Sequence, residues 1–427
     1  MPKPSPASRA PTSASGPARA RPRIGLALAG GGPLGAIYEV GALCALEEAL
    51  TGLDFTRLDG YVGVSAGGFI AAGLVNGLTP RQMCSGFIEN DGGADDLVHP
   101  SIFVQPAWGE FASRLSRLPV RVAQAAWRVA LGSASMVEAA EGLAGTLPTG
   151  FFGNAPIEAH LRQVFSAPGR SDDFRQLERR LVLVATDLDT GTAAPFGLPG
   201  WDDVPISRAV TASAALPGLY PPVEIGGRHY VDGALKKTLH ARVLLDEGMD
   251  LILCLNPLVP FDATEQRRRP ARGARAAIPQ LVQGGLPLVL SQTFRSLIHS
   301  RLLQGLKGYE TSHPHVDIAL FEPDHRDPEL FNANTFSYGA RRHLAEHAYQ
   351  TTRADLRLRR RALRHMFERH GIGIDDAVLD DTSRHLVARR RGAPDVNDPA
   401  ATSRDLGRTL HRLDRVLDEL EASLASS

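Results

Sequence analysis

Lysine is almost missing from these 427 residues; Lys3, Lys236, Lys237 and Lys307 are the only ones. Cationic charge therefore falls to arginine. Lys+Arg and Asp+Glu stand at 47 each, so no global field suggests nucleic acid as a partner. Cysteine is scarce as well. Cys44, Cys84 and Cys254 lie far apart in apolar or small-residue surroundings and form no C-x-x-C pair. That pattern argues against a disulfide framework or a zinc site and predicts buried, reduced thiols, with no metal or cofactor expected. No apolar run reaches the ~18 residues needed to cross a bilayer. The first 22 residues, rich in Pro, Ser, Ala and Arg, lack the apolar stretch of a secretory signal and read as a disordered tail. These absences predict a cytoplasmic protein whose contact with a membrane, if any, is peripheral.

Glycine, by contrast, is plentiful, with 42 in the chain. The stretch Gly63-Val64-Ser65-Ala66-Gly67 fits G-x-S-x-G between the apolar run Tyr61–Val64 and a small-residue helix. In a nucleophile elbow the two glycines are needed because a Cβ at either position would crowd the facing strand and helix. Ser65 then sits at a helix N-terminus, where partial positive charge favours a developing anion. The pentapeptide alone is equally compatible with an ordinary turn in which Ser65 is an N-cap.

Upstream, the apolar run Ile24–Ala29 has the composition of a buried parallel strand. Gly30, Gly31, Gly32, Pro33, Leu34 and Gly35 follow, and then a helical pattern over Ala36–Leu50, with Ile37, Val40, Leu43 and Leu46 at helical spacing. A single right-handed β-α-β crossover therefore separates the glycine loop from Ser65 and brings both to the carboxyl edge of neighbouring strands. Unobstructed amides there could hold an oxyanion, a contribution of roughly 3 kcal/mol per donor. Gly30, Gly32 and Gly35 also match the dinucleotide fingerprint G-x-G-x-x-G, with Asp54 where a ribose-binding acid would be sought. Asp54, however, precedes the second strand, and the end of that strand is taken by Ser65, which disfavours a nucleotide.

Residues 92–150 lack strand-like alternation and read as a helical insertion. Within it, Trp108–Val129 is basic and amphipathic, suited either to a lipid surface or to its own domain. Leu181–Ala185 returns to the sheet, with Asp187 and Asp189 in turn-capping positions. Ser213 is a second serine without an elbow. The short strand Gly227–Val231 ends in Asp232-Gly233-Ala234, where little side-chain bulk blocks approach to the carboxylate. Leu251–Leu255 is a further buried strand and Val316–Phe321 a candidate for the last one. Between them, Leu286, Val289, Leu290, Phe294, Leu297, Ile298 and Leu302 form an apolar stripe expected to pack on the sheet. The C-terminal part carries basic clusters at Arg357–Arg364 and Arg389–Arg391. It ends in Leu406, Leu410, Leu413, Leu417, Leu420 and Leu424, a heptad seam for self-association or for packing on the protein's own helices.

The glycine loop Gly30–Gly35, the elbow Gly63–Gly67 and Asp232–Ala234, in that order, resemble the patatin-like phospholipase family over roughly residues 24–255. The resemblance implies an α/β, three-layer αβα fold with a mainly parallel central sheet. It predicts a tail over 1–22, a catalytic domain over 23–345 containing the insertion, and a C-terminal helical region over 346–427. The activity it implies is lipid acyl-ester hydrolysis, without cofactor, on a lipid or membrane-surface substrate. Ser65 is the implied nucleophile, Asp232 the base, Gly30, Gly31 and Gly32 the oxyanion donors, and Gly35, Gly63, Gly67 and Gly233 their support. Family members often carry Arg or Lys where this chain has Leu34, which puts phospholipid preference in question. A carboxylate with an ordinary pKa of ~3.9 is a weak base for a hydroxyl, so the dyad requires a desolvated setting. Two rivals remain. One is a Ser-Asp-His esterase using His240, His313 or His343; the other is a silent lipid-binding or scaffolding module.

Overall fold

The computed structural model describes residues 21–91, 100–103, 105–107, 149–268, 280–332 and 340–387, with 122 and 127 in addition. Most of the tail, the bulk of the expected insertion, Arg389–Arg391 and the leucine seam lie outside the described residues.

Ten strands are present among these: β1 (Ile24–Leu28), β2 (Leu50–Thr51), β3 (Gly60–Gly63), β4 (Arg180–Asp187), β5 (Ala193–Phe196), β6 (Val223–Ile225), β7 (Arg228–Asp232), β8 (Leu251–Leu255), β9 (Asp317–Phe321) and β10 (Gly373–Ile374). Strands β4, β3, β1, β8 and β9 are adjacent and parallel, and β2 pairs with β10 separately. The centre of this sheet is covered on both faces, which is why β1 and β8 are apolar throughout instead of alternating. Leu26, Leu28, Tyr61, Leu183, Leu253 and Phe321 pack to one side, against α1 (Gly32–Ala49), α2 (Ala66–Val75) and the helix Arg341–Glu368. Ala27, Val62, Val64, Val182, Ile252 and Cys254 pack to the other, where Leu244, Leu302 and Tyr309 cover them. The result is three layers, helix on sheet on helix. The three cysteines are buried and free.

The edge of β4 decides where the site forms. One side of β4 is taken by β5 over Leu183–Thr186. The other is shared, with β3 along Arg180–Leu183 and β7, antiparallel, along Ala185–Asp187. Thus β7 runs head-on toward β3 and stops just short of it: Gly63 pairs with Leu183, and Asp232 pairs with Ala185. The last residue of β7 faces the residues that follow β3.

The helix Gly285–Ser312 departs from expectation. Ile298 and Leu302 are buried against the sheet, but Leu286 is 70% exposed, Leu290 57% and Leu297 50%. In its first half, a stripe with helical period thus finds nothing in the described part of the chain to cover these leucines. The helix Arg341–Glu368 spans the boundary drawn at 345. Its Arg359, Arg360 and Arg364 pair with Asp355, Asp380 and Asp376, and Arg357 donates to the Leu379 carbonyl, so much of that basic cluster is internally neutralised. Among the described residues no helix is long and apolar enough to cross a membrane.

Candidate active site

Ser65 sits between β3 and α2 with φ 51° and ψ −121°, a positive φ that among the described residues only one other non-glycine, Asn90, adopts. Such backbone is held only where its surroundings over-determine it. Two close approaches do so. A Cβ on Gly63 would lie 2.5 Å from the Gly67 carbonyl oxygen, and one on Gly67 would lie 2.6 Å from the Leu28 backbone. The turn is also tied from below. The Ser65 amide donates to Ser213 Oγ at 2.9 Å, and that hydroxyl donates to the Val184 carbonyl at 2.6 Å. Ser213, the serine without an elbow, holds the elbow of the other.

The glycine loop lies beside this turn. A Cβ at Gly30 would approach Ser65 Cβ at 3.1 Å and Ala234 Cβ at 3.0 Å, so this glycine lets three segments meet. α1 begins inside the glycine run, at Gly32, four residues earlier than its periodicity suggests. Gly31 accepts from the Gly35 amide at 3.0 Å, and Pro257 presses against both residues. The amides of Gly30, Gly31 and Gly32 have no acceptor among the described residues, and Gly31 and Gly32 line the same cavity as Ser65.

Asp232 is 3% exposed. Its own amide donates to the Ala215 carbonyl at 3.0 Å, its carbonyl accepts from Thr186 Oγ1, and its Oδ1 accepts from the Ala234 amide at 2.8 Å. Gly233 is obligatory, because a Cβ there would fall 2.1 Å from the Val184 oxygen. Burial pushes the Asp232 carboxyl up to about 6, and hydrogen bonding from the Ser65 side chain and the Ala234 amide holds back a larger rise. The structure thus brings together Ser65, Asp232 and Gly30–Gly32, with Gly35, Gly63, Gly67 and Gly233 at the approaches that allow it.

Over them opens a cavity of about 610 Å³ with largely apolar walls, among them Leu34, Ile70, Phe87, Leu161 and Phe165. Its size and lining suit an acyl chain. Polar residues in its wall that are absent from the sequence reading are Gln82, Ser291, His160 and Arg295. His160 presents an unpartnered Nε2, and burial lowers its pKa. Arg295 donates to the Val259 carbonyl at 3.3 Å and lies over the Phe331 ring; desolvation alone shifts its pKa, downward, with no carboxylate contributing. A histidine in a helix and an arginine amid many others carry no sequence signal; only the cavity singles them out. His240, His313 and His343 do not line it. His240 is half-buried, its pKa pushed down to about 4 by desolvation, and His343 pairs with Glu329. Asp187 caps the turn after β4 through Asp189 and Thr190 and pairs with Arg228, and Asp54 binds Thr56, both structural roles.

The patatin-like phospholipase family matches residues 26–245, just over half of the chain, and the chain belongs to that family. Among solved structures it is similar to VipD from Legionella pneumophila, at 16% identity and a TM-score of 0.30, over 58% of this chain and 52% of that one. It is also similar to the type III effector protein ExoU, at 17% identity and a TM-score of 0.33, over 79% of this chain and 53% of that one. The chain spans about half the length of these structures.

Proposed function

We propose that this protein is a serine lipid acyl hydrolase. Ser65 attacks the ester carbonyl while Asp232 accepts its proton, and the amides of Gly30, Gly31 and Gly32 bind the oxyanion. The alcohol leaves with the proton returned from Asp232. Water activated by the same carboxylate then releases the fatty acid from Ser65. The observation that carries this reading is the convergence of a strained serine, a buried carboxylate of raised pKa and acceptor-free amides at one end of an apolar cavity. A carboxyl near 6 is far better matched to proton transfer at neutral pH than an ordinary aspartate. With Leu34 in the glycine loop, Arg295 is, among the described residues lining the cavity, the arginine or lysine that can face an anionic head group, and the exposed stripe Leu286–Leu297 lies on the same helix. Both features favour a lipid surface as the source of substrate.

A fluorophosphonate probe tests the central claim. Wild-type protein should be labelled on Ser65 and should release fatty acids from a mixed lipid extract, and Ser65→Ala should do neither. A folded wild type that resists the probe on and off vesicles would instead favour a binding module.

A further inference from the structure

Along the carboxyl edge of the sheet, the pairing Gly63–Leu28–Leu255–Phe321 sets four neighbouring strand ends in a row. Ser65, the glycine loop, Asn256 and Glu322 follow them. At the far end of this row, outside the cavity walls, Glu322 meets His299 and His325. We propose that these three side chains form a zinc site that pins the helix Gly285–Ser312 to the sheet edge, a role independent of the hydrolase reading.

The geometry favours coordination over hydrogen bonding. His299 Nε2 stands nearly midway between the two carboxylate oxygens, 3.4 Å from Glu322 Oε2 and in a long hydrogen bond of 3.5 Å to Oε1, and His325 Nε2 lies 4.0 Å from Oε1, with one ligand atom from each residue within 4.8 Å of the others. Hydrogen bonds to a carboxylate close to ~2.8 Å, as His343 and Glu329 do at 2.8 Å elsewhere in this molecule. Two ligand atoms on one tetrahedral zinc, each at about 2.0–2.1 Å, stand about 3.3 Å apart. The imidazole rings are nearly perpendicular, at 79°, so both can aim a nitrogen at a shared point.

The surroundings complete such a site. His325 Nδ1 faces the Pro260 carbonyl at 3.3 Å; a carbonyl can only accept, which leaves Nε2 with its lone pair free. Glu322 Oε2 accepts from Asn256 Nδ2 at 3.2 Å. A backbone carbonyl and a side-chain amide orienting the ligands in this way are the usual second layer of a metal centre. His325 also borders a surface depression with Pro260, Phe261 and Asp324, which supplies a route for the ion. Two imidazoles and one carboxylate select zinc over calcium or magnesium, which require more oxygen ligands, and the fourth position would hold water.

The consequence follows from helix spacing. Arg295 is one turn before His299, and Phe294 and Arg295 line the cavity, while Asn256 precedes the Pro257 that presses on Gly31 and Gly35. Zinc would fix both the cavity wall and the back of the glycine loop.

Full-length protein stripped with a chelator and then titrated with Zn²⁺ should bind one ion per chain by calorimetry and elemental analysis. Its melting temperature should rise by roughly 5 °C, and Ca²⁺ or Mg²⁺ should do nothing. His325→Ala, the most exposed ligand and the safest for folding, and Glu322→Gln should each weaken binding ~100-fold or more, whereas His343→Ala/His347→Ala should not. Stripped, folded protein that takes up no zinc on titration, or His325→Ala and Glu322→Gln proteins that are folded by circular dichroism and bind as wild type does, would overturn the assignment.

Discussion

At the scale of single residues, Asp232 governs the pH behaviour. Its folded-state pKa of about 6 is raised above the unfolded value by burial. The protonated form is thus the stable one, and the stability it supplies is lost as pH rises through about 6. The base, however, must be ionised. Turnover should fall as pH drops below about 6, in the range where the fold gains from protonation, so activity and stability oppose each other. Asp232→Asn should lose about a thousandfold or more in kcat yet melt higher than wild type at pH 7.5, with the difference vanishing near pH 4. His160→Gln separates the dyad from a histidine-assisted alternative: most turnover should survive, and a folded but inactive variant would move the base to His160. Of these residues, Ser65 and Asp232 could be read from sequence because each sits in a dense local pattern whose glycines report close backbone approach. Ser213 could not, since its hydroxyl acts on a turn 148 positions away and nothing nearby in the chain marks that bond.

Among the elements, the helix Gly285–Ser312 joins the cavity to the outside. Periodicity picks out apolar residues at helical spacing but does not say what covers them. The second half meets the sheet, whereas the first leaves Leu286, Val289 and Leu290 outward while Phe294 and Arg295 turn toward the cavity. The proposed lipid-facing role makes a specific demand. Leu286→Asp/Leu290→Asp should weaken binding to phospholipid vesicles by at least ~10-fold and reduce hydrolysis of vesicle substrate, since each buried leucine contributes roughly 1.5–3 kcal/mol. Hydrolysis of a short, water-soluble ester should be unchanged. Loss of both activities together would show that the stripe supports the fold instead. Arg295→Met should spare neutral esters and raise KM for anionic phospholipids; equal effects on both would remove its head-group role.

For the whole molecule, the question is what closes the face of α1 that does not touch the sheet. α1 is buried almost all round, Glu39 included, so a second layer must lie on it. The helix Arg341–Glu368 supplies that layer through Leu344, Ala345, Ala348 and Tyr349, and Tyr349 donates to Glu48 at 2.7 Å. Sequence reading separated residues 346–427 from the catalytic domain because that segment is charged and holds no motif. The small residues that let two helices touch have no periodic signature strong enough to reveal a partner 300 positions away. Gly41 is where they touch: a Cβ there would lie 2.4 Å from the Ala345 oxygen and 2.9 Å from Ala348 Cβ. Both contacts are backbone or short side chain and cannot swing aside. α1 begins in the glycine loop, so strain at Gly41 must either part the helices or displace the loop. Gly41→Val should therefore destabilise the fold by about 1–3 kcal/mol. It should also lower fluorophosphonate labelling of Ser65 at temperatures where circular dichroism still reports a folded protein. A stable, fully reactive Gly41→Val protein would mean that the helix Arg341–Glu368 is an independent appendage and that the hydrolase unit closes without it.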